Sequence, residues 1–446
     1  MSGVRDALKN AALTALVTLG LAFPIVAYRT EPDAFNRLVL NERWALVAAI
    51  CAATFALRLA ISLYGRALPR GPAQEALEKG PQSPLSQHLP RIGLALLIAY
   101  PFLAVTLTGT AGSIKWIETF GAQILLYILL GWGLNIIVGL AGLLDLGYVA
   151  FYAVGAYTTA LLTKTLGVSF WLALPAAGLL AACWGLLVGL PVLRLRGDYL
   201  AIVTLAFAEI LRLVLINWVP VTGGYAGISS IPKPTLFGLT FTPGPDSLAS
   251  VLGLPPSPLY RIFFLFYLAL GLALLAYWVT VRLRKLPVGR AWEAMREDEI
   301  ACRSLGINTV SSKLSAMAAG AFFGGIAGSF FAAQQGFISP KSFEFNESAL
   351  ILIIVVLGGM GSNIGIAIAA TAVVASTELL RELTFLKAVF GDDFEPTQYR
   401  MLLFGLALVL IMIVRPKGLI STREPSLRLP PKPGRVAPPS IATAGE

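Results

Sequence analysis

GLNIIVGLAGLLDLGYVAFYAVGAYTTALL, residues 133–162, carries one charged side chain, Asp145, in thirty positions. About 20 consecutive apolar residues suffice for a helix to cross a bilayer, and a helix satisfies its own backbone polar groups there. Comparable runs recur near 11–28, 45–64, 92–110, 118–139, 145–165, 170–193, 199–218, 260–281, 314–334 and 400–414. Another stretch, 348–380, is interrupted by Gly358, Gly359 and Gly361, where the chain can turn back on itself. The composition agrees: 57% of residues are hydrophobic and the mean hydropathy is +0.76, against the roughly 45–50% apolar usage of soluble domains. The pattern predicts an all-α polytopic membrane protein with about 10–12 transmembrane helices.

A formal charge of +10 would suggest nucleic acid in a soluble protein. Here most basic residues sit in short loops beside apolar spans, which is the positive-inside pattern and implies no nucleic-acid partner. Arg66, Arg70, Lys79 and Arg91 follow the second span, and Arg282, Arg284, Lys285, Arg290, Arg296, Arg303 and Lys313 follow the span near 260–281. Both loops are expected in the cytoplasm with both termini. The loop 219–259 is then external; it contains a single basic residue, Lys233, and is a natural docking surface for an outside partner. The N-terminal run has no small-x-small site before Arg29, so it reads as a retained span rather than a cleaved signal. The Pro-rich tail at 421–446 is expected to be disordered.

Catalytic and metal chemistry find little support. Cys51, Cys183 and Cys302 lie far apart, the single histidine is His88, and no GxxxxGK[ST] phosphate loop occurs. No metal or cofactor is expected in this chain, and an ATP-driven process would need its nucleotide site on another protein.

Between two apolar runs lies GRAWEAMREDEIACRSLG, residues 289–306, with seven charges in eighteen positions. Read as one helix, it places Ala291, Ala294, Met295, Asp298, Ala301, Cys302 and Leu305 on one face, with Ile300 a misfit on the charged side. Gly289 and Gly306 bracket it, the latter as a helix terminator. A helix resting on headgroups favours large apolar side chains, whereas a stripe of alanines permits close approach to another protein.

EAMREDEIACRSLGI resembles the coupling loop of importer permeases driven by ATP-binding cassettes. With GLNIIVGLAGLLDLGYVAFYAVGAYTTALL, RGDYLAIVTLAFAEILR (196–212), TGGYAGIS (222–229), VVLGGMGS (355–362) and the RPKGL ending, it is similar to the LivM-type permeases of branched-chain amino acid transporters. The resemblance covers about 118–420, with a coupling loop at 282–313, and leaves 1–117 as additional spans and a cytoplasmic loop. It implies an importer permease fold in a bacterial inner membrane and a transported neutral aliphatic amino acid. Implied partners are a second related permease, two ATPase subunits that hold ATP and Mg, a periplasmic amino acid-binding protein and membrane lipid. Glu293, Ala294, Asp298, Glu299 and Gly306 would form the ATPase-coupling segment. Thr222, Gly223 and Gly224 would belong to the external loop. Ala226 and Asp145 depart from the family's pattern.

Charges inside spans are costly unless they face protein or water. Glu209 and Arg212, three apart, can neutralise each other. Asp145 is either a solvated end residue or part of the substrate path, and Gly358, Gly359 and Gly361 form either a turn or a substrate-facing break. A urea or amide permease of the same family remains open, as does a carrier driven by an ion gradient. The carrier should show paired mid-membrane carboxylates that this sequence lacks.

Overall fold

A computed structural model describes residues 84–192, 198–236 and 257–382, two strands at 28–32 and 38–42, and isolated positions near 44–55, 238–253 and 405–409. The expected spans near 11–28, 45–64 and 400–414, the basic loop at 66–79, the RPKGL ending and the tail lie outside the described residues, apart from isolated positions. The chain divides into two units, Met1–Leu97 and Ile98–Glu446. In the first, β1 (Tyr28–Pro32) pairs antiparallel with β2 (Leu38–Glu42), Tyr28 opposite Glu42.

The second unit is helical. It begins at Ile98 inside α1 (Pro84–Ile114); α1 is interrupted at Gly109, and from Gly112 a single span runs to Leu140. Its centre is α2 (Gln123–Leu134), with wider π-helical turns at Lys115–Ala122 and Asn135–Leu140. Then come α3 (Val149–Lys164), α4 (Phe170–Val192), α5 (Asp198–Asn217) and α6 (Leu259–Lys285). Two short helices, α7 (Pro287–Glu297) and α8 (Glu299–Ser304), precede α9 (Thr309–Gln335), α10 (Phe345–Gly358) and α11 (Asn363–Glu382). Among the described residues five helices are long and apolar enough to cross a membrane, in the spans at 112–140, 170–191, 199–217, 259–285 and 309–335. The interrupted stretch at 348–380 does turn back, as α10 and α11.

The centre of the unit is α9, packed against α2, α3 and α4. Its glycines allow this. A Cβ at Gly155 of α3 would lie 2.1 Å from the Gly325 carbonyl oxygen, and one at Gly328 would lie 2.1 Å from that of Tyr152. Lipid gives apolar side chains no reason to leave it for each other, so close backbone approach supplies the packing attraction. Tyr148, Phe151 and Phe330, all fully buried, fill the space that remains.

Candidate functional site: a broken polar helix wired into the bundle

The segment 287–306 is not one helix. Leu286 is extended, Pro287 opens α7, and the chain breaks at Asp298 with φ −155° and ψ 108°. The Asp298 carboxylate accounts for the break: Oδ1 accepts from the amides of Ile300 at 2.8 Å and Ala301 at 3.0 Å, capping a new helix that Glu299 begins. Asp298 is therefore an N-cap at the junction of two helices rather than a residue midway along one continuous helix face, and it remains exposed. At the other end of α8, Gly306 has φ 81°, its amide bonds the Arg303 carbonyl at 3.1 Å, and the Ile307 amide bonds that of Cys302 at 3.0 Å. These are the two bonds of a Schellman cap, so the expected terminator role of Gly306 holds.

The break redistributes the face drawn on a single wheel. Met295 and Cys302 are buried, as is Trp292, whose indole donates to Ser315 Oγ at 3.0 Å, while Ala291 and Ala294 are half-buried. Ile300, the misfit, is 66% exposed and Leu305 is 81% exposed, with Ala301 exposed between them. The most exposed apolar side chains of the segment are thus Ile300 on α8 and Leu305 at its C-cap, with Val288 on α7 exposed to a lesser degree.

The charged residues hold the pair of helices to the spans. Glu293 on α7 is paired with Arg284 at the end of α6. Glu299 Oε1 accepts from Lys313 Nζ at 2.9 Å and from Arg303 at 3.2 Å, and Lys313 is buried on α9. Arg296 reaches back and donates to the carbonyl of Gly139 in the π-helical turn.

Beneath Arg296 lies a buried polar hub. Asn135, fully buried, accepts from the Gly361 amide at 2.8 Å through Oδ1 and donates to Asn363 Oδ1 at 3.1 Å. The Trp132 indole donates to the Asn363 carbonyl at 2.8 Å. Gly359 and Gly361, at φ 104° and 92°, form the turn between α10 and α11. A Cβ on Gly361 would come 3.5 Å from an Arg296 Nη, so the glycine turn meets α7 directly. Gly358 is buried against Gly365, where a Cβ would lie 2.6 Å from its backbone. Sequence reasoning missed Asn135, although an amide within an apolar span was a readable signal.

Asp145 lies in the non-helical link 141–147 and is 1% exposed, which removes the solvated-end alternative. Its Oδ1 accepts from the Gly147 amide at 2.8 Å, while Oδ2 has no hydrogen-bond partner among the described residues. The link is anchored by Thr204 Oγ1 of α5, which accepts from the Leu146 amide, and by Ser348 of α10, which donates to the Leu146 carbonyl at 2.6 Å.

At the far end of the bundle, the Thr222 hydroxyl lies 2.6 Å and 2.9 Å from the Leu215 and Trp218 carbonyls and accepts from the Gly224 amide at 3.2 Å. Thr222 and Gly224 are buried and Gly223 is half-buried, so these residues shape the turn, and its surface is presented by Tyr225 and Ala226. The turn is pinned by the Ile228–Ile338 bridge. Nearby, a cavity of about 440 Å³ is lined by Glu118, Gln123, Tyr127, Gln334 and Glu347 among others, and the Tyr127 hydroxyl donates to Glu347 at 2.9 Å.

Comparison with known proteins places these features in a family. Residues 116–412 match the family described as "Branched-chain amino acid transport system / permease component", and residues 6–103 match a domain of unknown function, DUF3382. The chain is 50% identical over 341 residues, 75% of each chain, to the high-affinity branched-chain amino acid transport system permease protein LivM of Escherichia coli K12. It is 32% identical over 248 residues, 54% of this chain and 66% of the relative, to a probable LivM of Methanocaldococcus jannaschii. The LivH permease protein of Salmonella typhimurium is 24% identical over 307 residues, 67% of this chain and 92% of LivH. No solved structure matches the chain. This multi-pass membrane protein belongs to the family of branched-chain amino acid transport system permease components.

Proposed function

We propose that this chain is the transmembrane permease subunit of an ATP-binding-cassette importer that moves branched-chain amino acids into the cytoplasm. Kinship with LivM supports the transported class. The observation that carries the mechanism is at α8: Ile300 on this polar helix and Leu305 at its C-cap stand exposed, while Glu299 ties α8 to α9 and Glu293 ties the neighbouring α7 to α6. An apolar pair presented this way at the water-facing end suits a groove on another protein.

In this reading the chain lies in a bacterial inner membrane with both termini cytoplasmic, beside a second related permease. Two ATPase subunits bind α8 from the cytoplasm and hold the ATP and Mg that this chain has no phosphate loop to bind. Closure of the ATPases pushes α7 and α8 as one body. The push reaches α6 and α9 through the ion pairs, and reaches the 139–142 and 358–362 turns through Arg296. Asp145 and the Gly358–Gly361 turn are the candidate moving parts of the path. A periplasmic binding protein would deliver the amino acid to the external surface around Tyr225, above Thr222, Gly223 and Gly224.

The test is the Ile300→Glu, Leu305→Glu double variant in the reconstituted transporter. Neither side chain is needed to hold α8 to the bundle, so the chain inserts normally. Substrate-stimulated ATP hydrolysis and uptake should fall together by at least about tenfold, equivalent to about 1.4 kcal/mol of coupling. Wild-type uptake by this variant would remove α8 as the ATPase contact.

A further inference from the structure

On α5, Leu205, Glu209, Arg212 and Ile216 recur at helical spacing and form one half-buried flank. Arg212 Nε donates to Glu209 Oε2 at 2.8 Å, and the two side chains remain 26% and 39% exposed. The pair lies inside the apolar span 199–217. At 1.5 Å per residue, Arg212 is about 8 Å short of the helix end and Glu209 about 16 Å from its start. Arg212 does not snorkel to the nearer boundary, because its guanidinium is held by a residue one turn deeper. Among the described residues no other group bonds either side chain, which leaves both Nη atoms and Glu209 Oε1 without partners.

Lipid tails offer nothing to a guanidinium or a carboxylate, so a lipid-facing flank would leave several polar atoms unsatisfied in hydrocarbon. We infer that the Leu205–Glu209–Arg212–Ile216 flank of α5 is the contact surface for the second permease chain of the transporter. That chain must bring hydrogen-bond acceptors to the Arg212 Nη atoms, a donor to Glu209, and apolar side chains to Leu205 and Ile216. The inference rests on the proposal that two related permeases pair. Matches to both LivM and LivH proteins agree with such a pairing.

The experiment places a photo-reactive benzophenone amino acid at Ile216, on the charged flank but outside the ion pair, in the full complex in native membranes. Mass spectrometry then identifies the adduct. Covalent attachment to the second permease is the expected result. Adducts only to lipid, only to residues 383–446 of this chain, or none at all, while the two permeases still co-purify, would overturn the assignment. Failure of the wild-type chains to co-purify would instead overturn the pairing on which it rests, so the two failures are distinct.

A second variant avoids reliance on the probe. Glu209→Leu with Arg212→Leu removes both charges, suits a lipid face, and leaves the buried side of α5, including Thr204, Ala208 and Leu211, untouched. Co-purification of the second permease should fall at least tenfold while membrane insertion of this chain is unchanged. Undiminished pairing would show that the partner does not use these charges.

Discussion

Gly139 shows how little room a polar hub leaves inside a membrane protein. A Cβ there would sit 1.8 Å from Asn135 Oδ1 and 2.7 Å from the Gly361 amide, so any side chain must displace the one acceptor that amide has in the hub. Gly139→Ala combines overpacking with a lost buried hydrogen bond and should destabilise the chain by about 2–4 kcal/mol, read as a lower melting temperature of the purified complex. Retention of the wild-type melting temperature would mean that the hub repacks freely. Asp145 poses the opposite case, a carboxylate with one oxygen engaged by the Gly147 amide and one without a partner. Asp145→Asn preserves the first bond and removes the charge. If the charge serves the path, uptake falls at least about tenfold with assembly unchanged, a difference of about 1.4 kcal/mol in the transport barrier. Undiminished uptake would leave Asp145 as a fastener of the 141–147 link.

The helix pair α7–α8 is held by the capping bonds that Asp298 accepts, by the ion pairs of Glu293 and Glu299, and by the Arg296 bond to the Gly139 carbonyl. Its capping bond predicts that Asp298→Ala weakens α8 by about 1 kcal/mol, whereas Asp298→Asn, which keeps an acceptor, should couple nearly as well as wild type. Measuring ATP hydrolysis per amino acid imported separates the two variants; equal loss in both would return the role to the charge. Its ion pair predicts that Glu299→Ala, by leaving the buried Lys313 ammonium without its carboxylate, costs about 2–3 kcal/mol of stability. Adding Lys313→Met should recover most of that loss; no recovery would mean that Glu299 acts through Arg303 or the helix cap. Both termini of α8 were readable from residue type: Asp298 before Glu299 is a start signal and Gly306 a stop. The wheel failed because an uninterrupted run of helix-compatible residues hides a cap in its middle. An Asp competes for backbone amides most effectively when the chain around it is free to bend. The inward reach of Arg296 was not legible for a related reason, since the acceptor it finds, the Gly139 carbonyl, lies more than 150 residues away in sequence.

At the scale of the molecule, apolar run length located the five spans found among the described residues, at 112–140, 170–191, 199–217, 259–285 and 309–335, while the expected runs near 92–110 and 145–165 form shorter helices; the three interrupting glycines located the reversal between α10 and α11. What run length cannot convey is which faces meet, because every face of such helices is apolar. The contacts instead follow from small residues such as Gly155 and Gly325, and from rare polar groups such as Asn135, whose partners lie more than two hundred residues away in sequence. The same scarcity bears on how this chain meets its neighbours in the membrane and in water. The exposed surface at α8 and its C-cap is apolar at Ile300 and Leu305, although basic residues such as Arg290 and Arg303 stand exposed around it. An interface built on the apolar pair should survive salt, since at about 1 M the Debye length shrinks to about 3 Å and exposed charges act only at contact, while burial of apolar surface is not weakened. ATPase subunits purified with this chain should therefore remain bound through a wash at about 1 M sodium chloride. The Ile300→Glu, Leu305→Glu variant should release them even at low salt. Dissociation of the wild-type complex by salt alone would transfer the interface to the surrounding arginines, and Arg290→Gln with Arg303→Gln would then be the variant that releases the ATPases.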